Sequence, residues 1–319
     1  MEFYSPLSGA AILIADFDRP SARLEPDAID AACEALGRLP CPSVALSGAR
    51  PDPALDRLLA RFDVVVASRE ELAPVAATAA RAPLAAQALV QLLRLGAGLS
   101  VHDALIAESL VYSMLQSGPE FARWRAGREV RPAPQDDGEP AVLVQRDGDR
   151  LQLQLNRPRR RNAFSAAMRD SLVEGLRLAE LDASIAEVIL SGVGPAFCSG
   201  GDLDEFGSRP DPATAHAVRS SRSASALLAR CAARVRAELH GACVGAGIEL
   251  PAFASRVVAR EGAFFQLPEL SLGLVPGAGG TVSLPRRIGR ERTAWLALSG
   301  ARIDAPTARR WGLIDEIRS

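Results

Sequence analysis

Residues His240–Gly280 read HGACVGAGIELPAFASRVVAREGAFFQLPELSLGLVPGAGG, and this stretch decides the fold. It holds two small-residue turns, Gly241–Gly247 and Gly273–Gly280, and two glutamates, Glu249 and Glu269, each set in otherwise apolar sequence. Arg234–Leu239 predicts a short strand, broken at Gly245–Gly247, and Ile248–Ala254 resumes with helical character. The breaks fall where the amides of a helix start point outward unpaired, which suits an anion or an oxygen becoming one. A carboxyl in apolar surroundings has its ionised form disfavoured, so its pKa moves towards the range useful for proton transfer. Taken singly, each glutamate has a plain explanation, because a Glu in a first helical turn complements the macrodipole. The succession turn, glutamate, turn, glutamate favours acid/base chemistry on an activated carbonyl.

Downstream, the pattern predicts helices around Glu291–Ser299 and over Ala305–Trp311, then a short strand, Leu313–Ile317. Upstream, Ala141–Gln145 and Arg150–Leu155 form a hairpin around Asp147-Gly148. Ser165 caps a helix over Ala166–Leu181, with Met168, Leu172, Leu176 and Ala179 on one face, and Glu187–Ser191 is the next strand, a βαβ unit. A small-residue loop, Gly192–Gly201, closes on Asp202. Arg209–Pro212 breaks the chain before one long helix to about Ala232.

The N-terminal part begins with a second βαβ unit: strand Ala10–Phe17, helix Asp27–Leu39 with Ile29, Cys33 and Leu36 at helical spacing, and strand Ser43–Leu46. Leu55–Arg61 can be helical and Asp63–Ala67 is a buried strand. Three helices follow, at 70–82, 83–95 and 101–125, the second opening on Pro83. Tyr112, Leu115, Phe121 and Trp124 read as core or interface. Gly127–Pro140 is rich in Pro, Asp, Glu and Arg without periodicity, a linker that marks the domain boundary.

Two further stretches bear on chemistry. Asn156-Arg-Pro-Arg-Arg-Arg-Asn-Ala-Phe puts arginines in the turn after a strand, either a solvated basic loop or a clamp on phosphates. Gly194-Pro-Ala-Phe-Cys-Ser-Gly-Gly-Asp-Leu is a plain βα turn or a loop whose amides approach a ligand closely. Neither this loop nor Gly245-x-Gly247 nor Gly277-x-Gly279 completes G-x-G-x-x-G, which leaves a dinucleotide reading weak. Ser199 lacks the G-x-S-x-G elbow of a nucleophile.

Composition sets the outer limits. The 319 residues are 48% hydrophobic, enough for a substantial core, and a formal net charge of −1 argues for neither nucleic acid nor an anionic membrane as partner. All 37 basic residues are arginine, a codon-usage signature that excludes a Walker-type P-loop and a Schiff-base lysine. Five cysteines without C-x-x-C, and three histidines, support neither a disulfide framework nor a metal site. Without an apolar run of spanning length or a secretory leader, a cytoplasmic protein is expected.

Read together, LNRPRRRNAF, GPAFCSGGDLDEF, HGACVGAGIEL, FFQLPELSLGLVPGAGGT and LSGARIDAPTARRWGLIDEI resemble the enoyl-CoA hydratase/isomerase (crotonase) superfamily over 141–319. The resemblance implies an α/β fold with a crotonase-like ββα spiral core. It implies an oxyanion hole from the amides of Ser199 and Ala246, and catalytic carboxyls at Glu249 and Glu269, as in the hydratase branch. Arg160 or Arg161, with backbone at Ala163 and at Gly200, Gly201, Asp202 and Leu203, would hold the CoA portion of an acyl-CoA substrate. No separate cofactor is implied, and a homo-oligomer, trimer or hexamer, is expected, with a role in fatty acid metabolism. Ala246 departs from the more usual glycine and Ser255 from an aspartate, and the chain stops at Ser319 where the family continues into helices that cover the site.

The N-terminal region supplies a candidate replacement. ILIADFDRP…LEPDAIDAACEALGRL…VALSG parallels LQLQLNRP…AFSAAMRDSLVEGLRL…VILSG, and ALDRLLARFDVVVAS parallels APTARRWGLIDEIRS. Residues 1–69 are therefore expected to be a degenerate βαβ copy, 70–127 a stand-in for the family's C-terminal helices, 128–140 a linker and 141–319 the catalytic core. The expected activity is hydration of a 2-enoyl-CoA. The alternatives are isomerisation or another crotonase-type lyase or hydrolase reaction, and a non-catalytic acyl-CoA-binding subunit.

Overall fold

The computed structural model describes residues 4–7, 9–18, 25–48, 53–129, 138–208 and 211–319. The expected linker lies outside these from 130 to 137, as does the 209–210 part of the expected chain break.

Strands β1 (Leu13–Asp16), β2 (Ser43–Leu46) and β3 (Val64–Val66) form a parallel sheet in that order. They are joined through α1 (Pro26–Arg38) and the short α2 (Asp56–Leu59). All of β2 is buried, as a central parallel strand requires, and α1 turns Ile29, Cys33 and Leu36 inward. Next come α3 (Arg69–Arg81), α4 (Pro83–Gly96), α5 (Val101–Gln116) and α6 (Pro119–Ala126). Side chains of Ser68 and Ser100 cap α3 and α5. The expected single helix over 101–125 is two, because Gly118 is extended at the cap and Pro119, which has no N–H to continue a helix, opens α6.

The remaining chain runs β4 (Val142–Asp147), β5 (Arg150–Leu155), α7 (Ala166–Leu181), β6 (Glu187–Gly192), α8 (Pro212–Ser221) and α9 (Ala224–Cys231). It continues through β7 (Val235–Leu239), β8 (Ala242–Val244), α10 (Ala246–Glu249), β9 (Arg256–Arg260) and β10 (Phe264–Gln266). It ends with α11 (Gly280–Ile288), α12 (Arg290–Ser299), β11 (Ile303–Asp304), α13 (Ala305–Trp311) and β12 (Glu316–Arg318). The expected long helix up to Ala232 is divided into α8 and α9. Ser223 caps α9 by accepting from the Ala226 amide, while Arg222 turns aside to Asp170 and Glu174.

A six-stranded sheet has the order β12-β9-β7-β6-β5-β4, parallel except for the β4–β5 hairpin. A smaller sheet, β11-β10-β8, stands beside the turns that carry the glutamates. Leu89 and Leu93 of α4 share one buried cluster with Leu296 of α12, so the N-terminal helices and the larger sheet have a common core.

Candidate active site

Glu249 closes the one-turn helix α10, whose cap, Gly245, has φ 51°. That left-handed conformation favours glycine, and the space does too. A methyl group there would lie 2.4 Å from Glu269 Oε1 and 3.7 Å from Glu249 Oε1. Those two oxygens are therefore no further apart than the sum of these lengths, and they face one point above Gly245. Both side chains are buried, at 2% and 9% exposure. The β8–β10 pairing, Val244 opposite Gln266, is what brings the two turns together.

The carboxyls differ in their partners. Glu249 Oε2 accepts from the amides of Ala278 and Gly280 at 2.7 and 2.9 Å. Glu269 Oε2 is buried and has no hydrogen-bond partner among the described residues. Burial, and then the charges of Glu269 and Glu108, push the Glu249 carboxyl well above the usual carboxylate range. Burial likewise pushes Glu269 up to about 8. Two amide donors favour the ionised form of Glu249, against the burial and neighbouring charges that push it up. Two buried carboxyls this close disfavour ionisation of both, so the pair shares a proton.

The glutamates open onto a cavity of about 440 Å³. Phe164, Phe206, Ala215, Val218 and Leu250 contribute apolar wall, and Ala246 and Gly201 lie at the turns. From the N-terminal half, α5 and α6 add Leu105, Glu108, Tyr112, Phe121 and Arg125. Gly277 permits that approach, since a methyl group there would sit 2.3 Å from Tyr112 Cδ2.

The expected oxyanion amides require one correction. The Ser199 amide donates to the Arg161 carbonyl at 3.0 Å, and Ser199 does not line the cavity. The cause is Arg161 itself, left-handed with φ 50°, whose carbonyl turns back onto the loop. Gly201 does line the cavity, and its amide has no acceptor among the described residues, like that of Ala246. The loops carrying these two amides are adjacent: Cys198 pairs with Cys243, and a methyl group on Gly245 would lie 3.6 Å from Gly200 Cα.

Of the residues assigned to the CoA portion, Gly201 and Asp202 line the cavity, while Arg160, Arg161, Ala163, Gly200 and Leu203 do not. The Arg160 guanidinium is held by Asp202 and Asp204, each at 3.0 Å, so here it braces the loop. The Ala163 amide donates to the Arg160 carbonyl. Buried Asn162 ties the same turn to the next strand end, accepting from the Arg157 amide and donating to the carbonyls of Val193 and Ala196. Cations that line the cavity are instead Arg125, Arg169, Arg219 and Arg222.

Glu108 was not expected. It is 2% exposed and binds the amides of Gly279 and Thr281 and the Thr281 hydroxyl. The sequence did carry a signal, for Ala104, Glu108, Tyr112 and Leu115 lie at helical spacing along the buried stripe of α5. A glutamate in an apolar stripe asks for a partner.

Among known proteins, the family profile described as Enoyl-CoA hydratase/isomerase matches residues 149–319. The 2,3-dehydroadipyl-CoA hydratase of Escherichia coli K12 is 37% identical over 179 residues, 55% of this chain and 68% of that protein. The 1,2-epoxyphenylacetyl-CoA isomerase of the same organism is 36% identical over 52% of this chain and 65% of its own. The chain spans about two thirds of the length of such relatives. A Mycobacterium smegmatis enoyl-CoA hydratase structure superposes with a TM-score of 0.53 at 32% identity, covering 57% of this chain and 71% of that one. A Thermobifida fusca YX protein solved in complex with CoA gives 0.51 at 27% identity, covering 60% and 77%. With the two-sheet core and the paired turns, these matches establish that the chain belongs to the enoyl-CoA hydratase/isomerase family.

Proposed function

We propose that the protein hydrates a 2-enoyl-CoA. The observation that carries this reading is the pair of buried carboxyl oxygens, Glu249 Oε1 and Glu269 Oε1, facing one point beside the acceptor-free amides of Gly201 and Ala246. The thioester carbonyl would accept from these two amides, Gly201 taking the place first given to Ser199. Charge developing on that oxygen then meets donors that need no reorganisation, each worth roughly 10²–10³ in rate.

Glu249, ionised and held by Ala278 and Gly280, takes a proton from water as the hydroxyl adds to the β-carbon. The enolate is protonated at its α-carbon by Glu269. Water has then been added, the proton sits on the other carboxyl, and exchange with solvent restores the start. Binding of the CoA portion outside the cavity fixes the acyl group against both carboxyls. The apolar wall from α8 and α5 would receive the acyl chain.

In this reading the parallel β1-α1-β2 unit is a shortened copy of β5-α7-β6, and α5 and α6 do the covering done elsewhere in the family by C-terminal helices. A panel of enoyl-CoA thioesters, assayed separately for hydration, double-bond migration and release of free CoA, tests the activity. Hydration alone supports it. Migration or CoA release without hydration overturns it, and tight CoA binding without turnover makes the protein a binding subunit.

A further inference from the structure

We infer that Glu108 is a positioning residue of this site, clamping the turn that holds Glu249 and tuning, by its charge, the proton shared by Glu249 and Glu269. The inference rests on the reading of those two as an acid–base pair. Glu108 lies on α5, outside the segment that matches the family.

The geometry is an alternation. Four consecutive amides, from Ala278 to Thr281, enter the N-terminus of α11, and Glu249 takes the first and third. Glu108 takes the second and fourth, Gly279 to Oε1 at 2.7 Å and Thr281 to Oε2 at 2.9 Å, with the Thr281 hydroxyl on Oε2 at 2.6 Å. A turn gripped from both sides leaves Glu249 little freedom, and one of the grips comes from the other half of the chain. Each donor needs an acceptor, so the arrangement suits a carboxylate on Glu108. Burial opposes this and pushes it up to about 7. Its charge therefore appears near neutrality, and it disfavours ionisation of Glu249 and Glu269 alike.

The groups facing Glu108 are those two glutamates, Tyr112 on its own helix and, from α8, Arg219 and His216. Arg219 is the cation that acts on it, held in place by Ser109, by Ser113 and by stacking 4.8 Å from the Tyr112 ring centroid. His216 meets α5 through Ser109 at 2.9 Å. Of the other charges on elements packed against α5, Arg286 and Arg287 of α11 are held by the Leu99 carbonyl and by Asp315, Arg94 of α4 by Asp63, Arg230 of α9 by Glu180, and Glu120 of α6 by the amides of Leu84 and Ala85, while Arg123 and Arg125 of α6 are exposed, Arg125 at the edge of the cavity.

Two variants separate the clamp from the charge. Glu108→Gln removes a charge that appears near neutrality, so it should move the alkaline limb of the bell-shaped pH profile of kcat/KM to lower pH by about one unit while the acid limb stays. Glu108→Asp keeps the charge but shortens the reach, so the limbs should stay while kcat falls about tenfold as Glu249 loses its alignment. Calorimetric binding of CoA should be the same for both variants and the wild type. A Gln variant whose limbs coincide with those of the wild type overturns the inference, whatever the height of its profile. The infrared band of protonated carboxyls, titrated in wild type and Glu108→Gln, reads the same coupling without turnover. If no thioester is hydrated but the band still disappears at lower pH in the Gln variant, the acid–base reading of the site fails and the coupling stands. An unshifted band overturns the coupling itself.

Discussion

Arg290 Nη1 lies 2.9 Å from Asp63 Oδ1, joining residues 227 positions apart, and Asp63 is only 1% exposed. Asp63 also receives Arg94 and the amide and hydroxyl of Ser43, so one carboxylate ties β2, α4 and α12 together. Removing one partner from a buried ion pair leaves the others uncompensated and typically costs about 3–5 kcal/mol. Asp63→Ala should lower the denaturant midpoint accordingly. A midpoint near that of the wild type would show that the N-terminal sheet is not held to α12 by this contact.

Glu249→Gln and Glu269→Gln should each lower hydration by roughly 10²–10⁴ while leaving CoA affinity nearly intact, since each removes one proton-transfer group. Ser199→Ala is the control. Its hydroxyl makes only a 3.5 Å contact with the Arg160 carbonyl, so activity should stay within a few-fold. Near-wild-type turnover in both Gln variants would remove the acid–base assignment, and loss of activity in a folded Ser199→Ala would revive a nucleophilic serine.

The contact between Gly277 and Tyr112 can be tested by overfilling it. Gly277→Ala forces the α5 ring away from the turn and should destabilise by about 1–3 kcal/mol, with a parallel fall in hydration. Combined with Tyr112→Leu, the loss should be smaller than the sum of the single changes, because both act on one contact. Additive losses in stability and rate would show that the ring and the turn do not press on each other.

Glu269 links stability to pH. Its carboxyl is held up to about 8 in the folded protein against 4.5 ordinarily. Between these values the folded state keeps a proton that the unfolded chain has released, so this group's contribution to stability falls as pH rises through the window. Glu269→Gln removes that dependence. Denaturant midpoints of wild type and variant between about pH 5 and about pH 8 should therefore converge or cross as pH rises, wild type losing more. Parallel curves would mean that Glu269 titrates normally.

The turns at Gly245 and Gly273–Gly280 were legible from their glycines and from the two isolated glutamates beside them, and α7 because Ser165 caps it with a clear apolar face behind. The split of α8 from α9 was harder to see, since an Ala- and Arg-rich run keeps helical propensity through Arg222 and only tertiary ion pairs turn that residue aside. Ser199 was misplaced for a comparable reason. The direction of an amide in a small-residue loop is set by the carbonyl that captures it, here that of Arg161, which adopts a left-handed conformation unusual for its type. Glu108 went unseen because its partners, Gly279 and Thr281, are more than 170 positions away. The helical stripe shows that Glu108 is buried, but no local pattern names the partner it meets.

The roof of the cavity, α5 and α6, belongs to the same chain as its floor. Roof and floor therefore meet as tethered parts of one molecule, so their encounter is intramolecular. Dilution does not compete with such an encounter. The part of the cavity wall that α5 and α6 supply is then a property of each molecule, whatever its concentration.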